Sequence, residues 1–390
     1  MKVALTSSSS PLKDGGAAES TRLISEGLRE RGLEVDVFST TGDKRKNVRE
    51  REGVYKIPSG DTYPGPSRIG VNISTLRHID LSRYDIVHAY GLACVPGMIL
   101  KSKISRNSPP ILGTANNLNW ICTNWTRYLE QGCPDYGLKK IVEYSLAEGY
   151  RLQLPAKVGL EMVGKGLTKQ GDYITTQTTG MKDIMMRCGY NGNQLEVVPN
   201  LLDDRFDISS DQPNRTVMFV GRLIERKGVV DIFDAFVDTE KTLSEEWELK
   251  IFGGGKLKPK LEKMAEKRDN VSVDYCPYVK LPEVYKEAAV LVHGSKYPEP
   301  FSRTWLEAMA SETAIVASRN PSSEAVLSDC AELYDPFDKE SLRDSLRSVL
   351  SNKEKRDRLR EKGKMKVEEF RADKVVNAYV DIYERLLDGA

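Results

Sequence analysis

Apolar and polar positions fall into two successive αβ series. Lys2 to Thr6 is a short β-prone run that breaks into serine and glycine punctuation at Ser7 to Ser10, Gly15 and Gly16. From Ala18 to Arg31, Leu23, Ile24, Gly27 and Leu28 recur at helical spacing until Gly32 stops them, and Leu33 to Phe38 is the next strand. Strand, glycine loop, helix and strand within about forty residues form a βαβ unit, and such units build parallel sheets. Ile86 to His88, Pro110 to Leu112, Tyr173 to Thr176 and Glu196 to Val198 continue the sheet. A second series opens at Thr216 with TVMFVGRL, an apolar strand running into Gly221, and a helix over Val229 to Val237. Its later strands are Leu249 to Phe252, Val271 to Tyr275, Val290 to His293 and Ala314 to Ala317. The closing helix, roughly Asp373 to Leu387, puts Val376, Tyr379, Val380, Tyr383 and Leu386 on one face.

The polar, proline-containing stretch Pro199 to Pro213 separates the two series. The pattern predicts an α/β protein of two doubly wound, Rossmann-like domains facing a cleft, with ligand where strand C-termini meet. We place the N-terminal domain at 1–200, the C-terminal domain at 201–372 and the terminal helix at 373–390. Hydrophobic residues make up 39% of the 390 and charged residues 29%, a globular balance that excludes collagen, coiled coil and wholesale disorder. The net charge of +1 denies the chain a strong field for nucleic acid. Residues 1–200 carry 26 basic and 20 acidic side chains, a mild excess that suits an anionic surface or substrate and equally a solvated surface. Six scattered cysteines without a CxxC pair read as thiols of a reducing compartment, and three histidines argue against a His-rich metal centre. The opening MKVALTSSSS is too short an apolar run for a signal peptide, and no stretch nears the roughly 20 apolar residues of a membrane span. The expectation is a cytoplasmic protein, compatible with peripheral contact at the cytoplasmic membrane face through the N-terminal domain.

The most specific motif is EPFSRTWLEAM, Glu299 to Met309, with Glu299 and Glu307 at i and i+8. A helix starting near Ser302 puts Glu307 on its second turn and Glu299 in the loop before it. Backbone N–H groups at Phe301, Ser302 and Arg303 then point outward as a helix N-terminus, suited to phosphate oxygens. A loop carboxylate can accept from sugar hydroxyls, and a helix carboxylate can take a ribose diol. A capped helix with two exposed acids gives the same spacing. In GRLIERKG, Gly221 to Gly228, breakers bracket Arg222 and Lys227 at a strand-to-helix turn. A guanidinium and an ammonium there suit a diphosphate that gains charge as its bond to a sugar breaks. Taken alone, Arg222 reads as a surface ion pair, and the nearby acids of the Glu299–Glu307 motif favour the phosphate reading.

These motifs together, with VVPN (Val197 to Asn200), EPFSRTWLEAMA and the N-terminal GGAAE loop, resemble a retaining glycosyltransferase of the GT-B fold, family 4. Asp85 to His88 and Leu281 to Tyr285 are similar to further family segments, so the likeness runs in order along the chain. The resemblance implies that Glu299 holds donor-sugar hydroxyls, Glu307 holds the ribose, and Arg222 and Lys227 hold the diphosphate leaving group. It implies that Gly15 and Gly16 allow close approach of phosphate and acceptor, and that the closing helix crosses back onto the first domain. Gly253, in the run Gly253 to Gly255, is implied near the nucleotide; Pro277-Tyr278 suits a flank to the nucleobase, and backbone contacts reading the base suit the sequence equally. Three departures stand out. Asn116 occupies the place of a histidine many relatives carry, and it cannot become cationic beside the reacting carbon. Ser302 replaces a glycine, and Ser322-Ser323 replace a glycine pair.

Asn116 also opens an aromatic-rich stretch with Trp120, Trp125, Tyr128 and Tyr136, which suits either sugar stacking or a core. The basic cluster Lys44, Arg45, Lys46, Arg49 and Arg51 is interrupted by Glu50 and Glu52, so it suits a solvated loop or anionic lipid. The implied reaction moves a sugar from a UDP-, GDP- or ADP-sugar to a hydroxyl of a glycan, lipid-linked or small-molecule acceptor. No further cofactor and no metal is expected, since Arg222 and Lys227 replace a divalent ion and no DxD-type pair is suitably placed. Front-face attack is implied, with the departing phosphate oxygen taking the acceptor proton. Two alternatives stay open: a catalytically silent binding homologue, which Asn116 and Ser322-Ser323 motivate, and a sugar-nucleotide epimerase.

Overall fold

The computed structural model describes residues 1–13, 15–42, 47–58, 67–105, 107–117, 142, 154–208 and 214–389. Lys44, Arg45, Lys46, Trp120, Trp125, Tyr128 and Tyr136 lie outside the described residues. The chain divides into two compact units. Leu202–Arg371 belong to the second, and the described residues up to Leu201, with those from Ala372 on, belong to the first.

In the first unit the strands are β1 (Lys2–Ser7), β2 (Glu34–Gly42), β3 (Val48–Arg51), β4 (Val54–Pro58), β5 (Ile86–Tyr90), β6 (Ile111–Ala115), β7 (Tyr173–Thr176) and β8 (Leu195–Val197). Their order in the sheet is β3-β4-β2-β1-β5-β6-β7-β8. Neighbours run parallel except β3 and β4, which are antiparallel. The helices are α1 (Gly16–Glu30), α2 (Ser67–His78), α3 (Val95–Ile104), α4 (Leu154–Thr168), α5 (Thr179–Arg187) and, from the far end of the chain, α13 (Ala372–Asp388). The hairpin β3–β4 is absent from the sequence reading because Arg49, Glu50 and Arg51 make it look like a solvated loop. It is an edge, where charged side chains are tolerated and block pairing with other chains. Arg49 and Arg51 are therefore strand residues, and Glu50 accepts a bond from Ser10 Oγ at 2.7 Å.

The closing helix α13 buries Val375, Val376, Tyr379, Ile382 and Tyr383 in one core with Val3, Leu5, Ile24, Leu28 and Ile86. Close approach to α1 depends on Gly27, where an added Cβ would lie 2.5 Å from Val376 Cγ2. Polar bonds fix the same contact. The buried His88 on β5 meets Tyr383 OH at 2.7 Å through Nδ1 and Thr114 Oγ1 at 2.7 Å through Nε2. Burial pushes the His88 imidazolium down, to about 3, so the ring is a neutral structural link. Asn200 accepts from Tyr90 OH at 2.9 Å, Gln177 Nε2 at 2.9 Å and Ser20 Oγ at 3.2 Å, tying the end of this unit to α1 and β5.

The second unit has β9 (Asn214–Val220), β10 (Glu248–Phe252), β11 (Val271–Asp274), β12 (Ala288–His293), β13 (Ala314–Ser318) and β14 (Ala331–Tyr334), in the all-parallel order β11-β10-β9-β12-β13-β14. Its helices are α6 (Val229–Glu240), α7 (Lys258–Ala265), α8 (Leu281–Glu287), α9 (Arg303–Ala310), α10 (Pro321–Leu327), α11 (Lys339–Leu350) and α12 (Lys353–Val367). Both faces of the sheet are covered. Val217, Phe219, Val290 and Val292 point to one core, and Met218, Leu291, Ile315 and Ala317 to the other. That two-sided burial explains why TVMFV reads as an unbroken apolar run.

Replacing Gly27 by Ala should lower stability by about 1–3 kcal/mol through overpacking against Val376. In the double variant with Val376→Ala the loss should be smaller than the sum of the two single losses, as chemical denaturation would record.

Candidate active site

Strand order in the second unit reverses between β9 and β12: β10 and β11 lie to one side, β13 and β14 to the other. The loops leaving the C-terminal ends of such a pair diverge and open a crevice. Here they first touch. Gly228, with φ +65°, stands so close to Gly294 that a Cβ would sit 2.2 Å from the Gly294 carbonyl oxygen. Lys296 N–H donates to the Arg226 carbonyl at 2.8 Å. The β9 loop brings Arg222, Arg226 and Lys227, and the β12 loop brings Ser295, Tyr297 and Glu299.

Glu299, 5% exposed, is the hub. Its Oε1 accepts from Lys227 Nζ, from Ser295 Oγ at 2.9 Å and from Tyr297 OH at 2.5 Å. Its Oε2 faces His293 Nε2 at 3.0 Å. Burial, then repulsion from Arg222 and Arg226, pushes the Lys227 ammonium down, to about 7, while the Glu299 carboxylate in contact with it pulls the other way. Burial and Lys227 drive His293 well below its usual range, so its ring is neutral. Lys227 and Arg226 lie 5.5 and 5.3 Å from the centre of the Tyr297 ring. Arg222 is exposed, and its charge reaches the buried Tyr297 hydroxyl.

The second acid is enclosed more tightly. Glu307, on the second turn of α9, is 2% exposed and accepts from Tyr278 OH at 3.1 Å and Tyr285 OH at 2.9 Å. Arg303 Nη2 donates to Tyr278 OH at 2.8 Å, and Arg303 Nε stands 3.7 Å from Glu307 Oε1. Burial pushes the Glu307 carboxyl up, while Arg303 and the two tyrosine bonds pull it down. Burial, then Glu307, raises both phenols, so they remain protonated donors.

The structure thus gathers Arg222, Lys227 and Glu299 at one point, and Tyr278, Arg303 and Glu307 at another. The sequence reading used only the backbone of Arg303, whose side chain turns inward to Tyr278 and Glu307. Tyr278 packs against Phe206, ring centres 5.5 Å apart, and is buried. The Phe301 ring is buried against Trp305 and Phe370. Ser302 is the N-cap position of α9, but its hydroxyl pairs with Thr304 Oγ1 at 2.8 Å and does not cap the helix. The Gly253 N–H is taken by the Asp274 carbonyl at 2.9 Å, and a Cβ there would fall 1.9 Å from the Gly221 carbonyl oxygen, so this glycine serves loop packing. At Ser322-Ser323 both N–H groups are capped by Asn320 Oδ1.

In the first unit, Gly15 has φ +124° and precedes α1, with open space where a Cβ would stand, and Gly16 begins the helix. Asn116 Nδ2 donates to the Tyr90 carbonyl at 3.2 Å, and its Oδ1 accepts from Asn117 at 2.9 Å. His293, Ser295 and Tyr297 were not foreseen. The signal was present only as a polar interruption, HGSKY, at the end of an apolar strand. Among the described residues no three His, Cys, Asp or Glu side chains are grouped as a metal site, and no helix is long and apolar enough to cross a membrane.

Two sequence profiles match the chain in succession: Glycosyltransferase Family 4 over residues 14–206, and Glycosyl transferases group 1 over residues 202–366. With the two parallel-sheet units, they place the chain in the GT-B glycosyltransferases, family 4; it is a glycosyltransferase. Among known proteins it is similar to an uncharacterised glycosyltransferase of Methanocaldococcus jannaschii, 26% identical over 241 residues. That match covers 58% of this chain and 62% of the relative, so less than two thirds of the latter's length. An MMP alpha-(1->4)-mannosyltransferase of Mycolicibacterium hassiacum is 24% identical over 99% of this chain and 98% of its own. The sucrose-phosphate synthase structure from Thermosynechococcus elongatus superposes with a TM-score of 0.76 at 18% identity over 100% of both chains. Anabaena HepE in complex with UDP-glucose gives 0.71 at 14% identity, covering 99% of this chain and 100% of that one. At these identities the structural likeness speaks for the fold.

Removing the Arg303 charge leaves a buried carboxylate uncompensated. Arg303→Met should destabilise the protein by about 3 kcal/mol or more. Adding Glu307→Gln to that variant should recover much of the loss in thermal unfolding.

Proposed function

We propose that this glycosyltransferase moves a sugar from a nucleoside diphosphate-sugar to a hydroxyl acceptor, with retention at the anomeric carbon and without a metal ion. The observation that carries this reading is the contact of Lys227 with Glu299 beside Arg222, a cation and a sugar-seeking acid at the strand-order reversal. Two charges of opposite sign held there suit a ligand with an anionic leaving group on one side and hydroxyls on the other.

Arg222 and Lys227 stabilise the charge that grows on the diphosphate as the glycosidic bond breaks. Fixed charges lower the barrier because they need no reorganisation during the reaction. Glu299 holds hydroxyls of the donor sugar and thereby orients the anomeric carbon. The departing phosphate oxygen takes the acceptor proton on the same face, which gives retention. Glu307 serves the ribose, with Tyr278 and Tyr285 fixing its direction. Gly15, Gly16 and Asn116 line the acceptor side in the first unit, and the mild basic excess of residues 1–200 suits an acceptor carrying phosphate at a membrane face. HepE was solved with UDP-glucose, and the Mycolicibacterium relative is named a mannosyltransferase, which supports a sugar-nucleotide donor.

The test is nucleotide release from UDP-, GDP- and ADP-sugars, starting with whichever ligand raises the melting temperature most. Arg222→Ala should lower turnover about a hundredfold or more, and EDTA should leave wild-type turnover unchanged. Wild-type rates in Arg222→Ala would refute the assignment.

The pH response follows from Lys227. With its ammonium pushed to about 7, the free protein at higher pH holds more neutral amine, and a diphosphate must restore the proton to bind. Nucleotide affinity should therefore fall as pH rises through about 7 to 9. In Lys227→Arg, whose charge persists, calorimetric titration should show a shallower slope, the remainder belonging to the ligand's own phosphate.

A further inference from the structure

The donors around Glu299 are unevenly shared. Oε1 takes three, Lys227 Nζ, Ser295 Oγ and Tyr297 OH, whereas among the described residues Oε2 takes His293 Nε2 alone. A carboxylate oxygen offers about two lone-pair directions. Oε1 is therefore filled, and Oε2 keeps one direction for an incoming hydroxyl. Where that direction points depends on His293.

The imidazole is well placed to fix it. His293 is the last residue of β12, 4% exposed, in a strand whose neighbours are packed on both sheet faces. Its ring stands edge-on to Trp305, centres 5.1 Å apart at 72°. An ionised carboxylate has no proton to give, so the nitrogen facing Oε2 carries one and Nδ1 does not. Nδ1 has no hydrogen-bond partner among the described residues. The ring is thus held on one side by Glu299 and on the other by an indole, and turning it over would put an unprotonated nitrogen against a carboxylate.

We propose that His293 is a positioning residue for sugar transfer: its Nε2–H holds Glu299 so that the second lone pair of Oε2 meets a hydroxyl of the donor sugar. The inference rests on the reading that Glu299 grips the sugar, and it extends that reading to a side chain one step behind the ligand. It divides recognition of the donor in two. Arg222 and Lys227 bind the diphosphate without help from the imidazole, and sugar recognition depends on it.

The experiment uses the full chain with UDP, GDP or ADP and the matching sugar nucleotide, whichever pair binds. His293→Leu removes the donor; His293→Gln supplies an amide N–H at a similar reach. In His293→Leu, affinity for the nucleoside diphosphate should stay within about threefold of wild type while kcat/KM for the sugar nucleotide falls about tenfold or more. His293→Gln should regain most of that loss. Glu299→Gln is measured beside them. If Glu299→Gln spares sugar-nucleotide turnover, the reading of Glu299 fails and this inference goes with it. If Glu299→Gln lowers turnover but His293→Leu does not, the inference alone is overturned. Equal loss of diphosphate and sugar-nucleotide binding in His293→Leu overturns it too, because that marks a purely structural role.

Discussion

Lys227 and Glu299 can meet only because two loops touch where backbone leaves no room for a side chain. A Cβ on Gly228 would collide with the Gly294 carbonyl, and one on Gly294 would come within 2.8 Å of Ile232 Cδ1 and 3.0 Å of the Lys227 carbonyl oxygen. The left-handed φ of Gly228 both permits this approach and starts α6. An ion pair so deeply enclosed is weak evidence for stability, since desolvating two charges costs about as much as their attraction returns. Four donors on one carboxylate, three of them within the short stretch from His293 to Tyr297, fit a different purpose: they fix where a charged group points. On the proposed assignment, catalysis by preorganised charge depends on that fixing.

Much of this architecture is legible in the sequence, for identifiable reasons. Strands buried on both faces, such as TVMFV and AAVLVH, announce themselves as continuous apolar runs, and EPFSRTWLEAM places both acids on either side of a helix start. What escapes is what depends on neighbours distant in sequence. β3 hides behind its arginines because an edge strand needs no apolar face. β14, AELY, is only four residues long and is interrupted by a glutamate. His293 lies among apolar strand residues and becomes meaningful only once Glu299 folds back against it. Arg303 is informative in the same way: as a helix-start residue it suggests backbone contacts, but its guanidinium is drawn inward by a carboxylate one turn on and the Tyr278 phenol.

The two units solve the same burial problem with different chemistry. In the first, the two networks anchored on β5 are neutral: His88, Tyr383, Thr114 and Thr175 form a chain with links of 2.7 Å, and Asn200 collects three donors without a formal charge. In the second, the interior carries ions, Lys227 with Glu299 and Arg303 with Glu307. Neutral networks tie α13 to its sheet and respond little to pH near neutrality, since burial holds the His88 ring near 3 and raises the Tyr383 phenol well above its usual range. The ionic pairs sit where a charged ligand is expected to arrive.

The two acids of the motif are also unequal, and the difference follows from their surroundings. Glu299 stands at the mouth of the strand reversal, with exposed Arg222 nearby and one lone pair open. Glu307 has phenols on both oxygens and an arginine alongside, and only 2% of it reaches solvent. An acid in the first situation can meet a ligand hydroxyl at the open lone pair of Oε2 without displacing a donor it already holds. An acid in the second can meet one only if a phenol turns away or if the ligand uses a remaining lone pair. On the proposed assignment a sugar hydroxyl reaches Glu299 with its donors in place, while contact with Glu307 requires the core around Tyr278 to give. Arg303, bonded to the Tyr278 hydroxyl and beside Glu307, opposes any movement that leaves Glu307 without its donors.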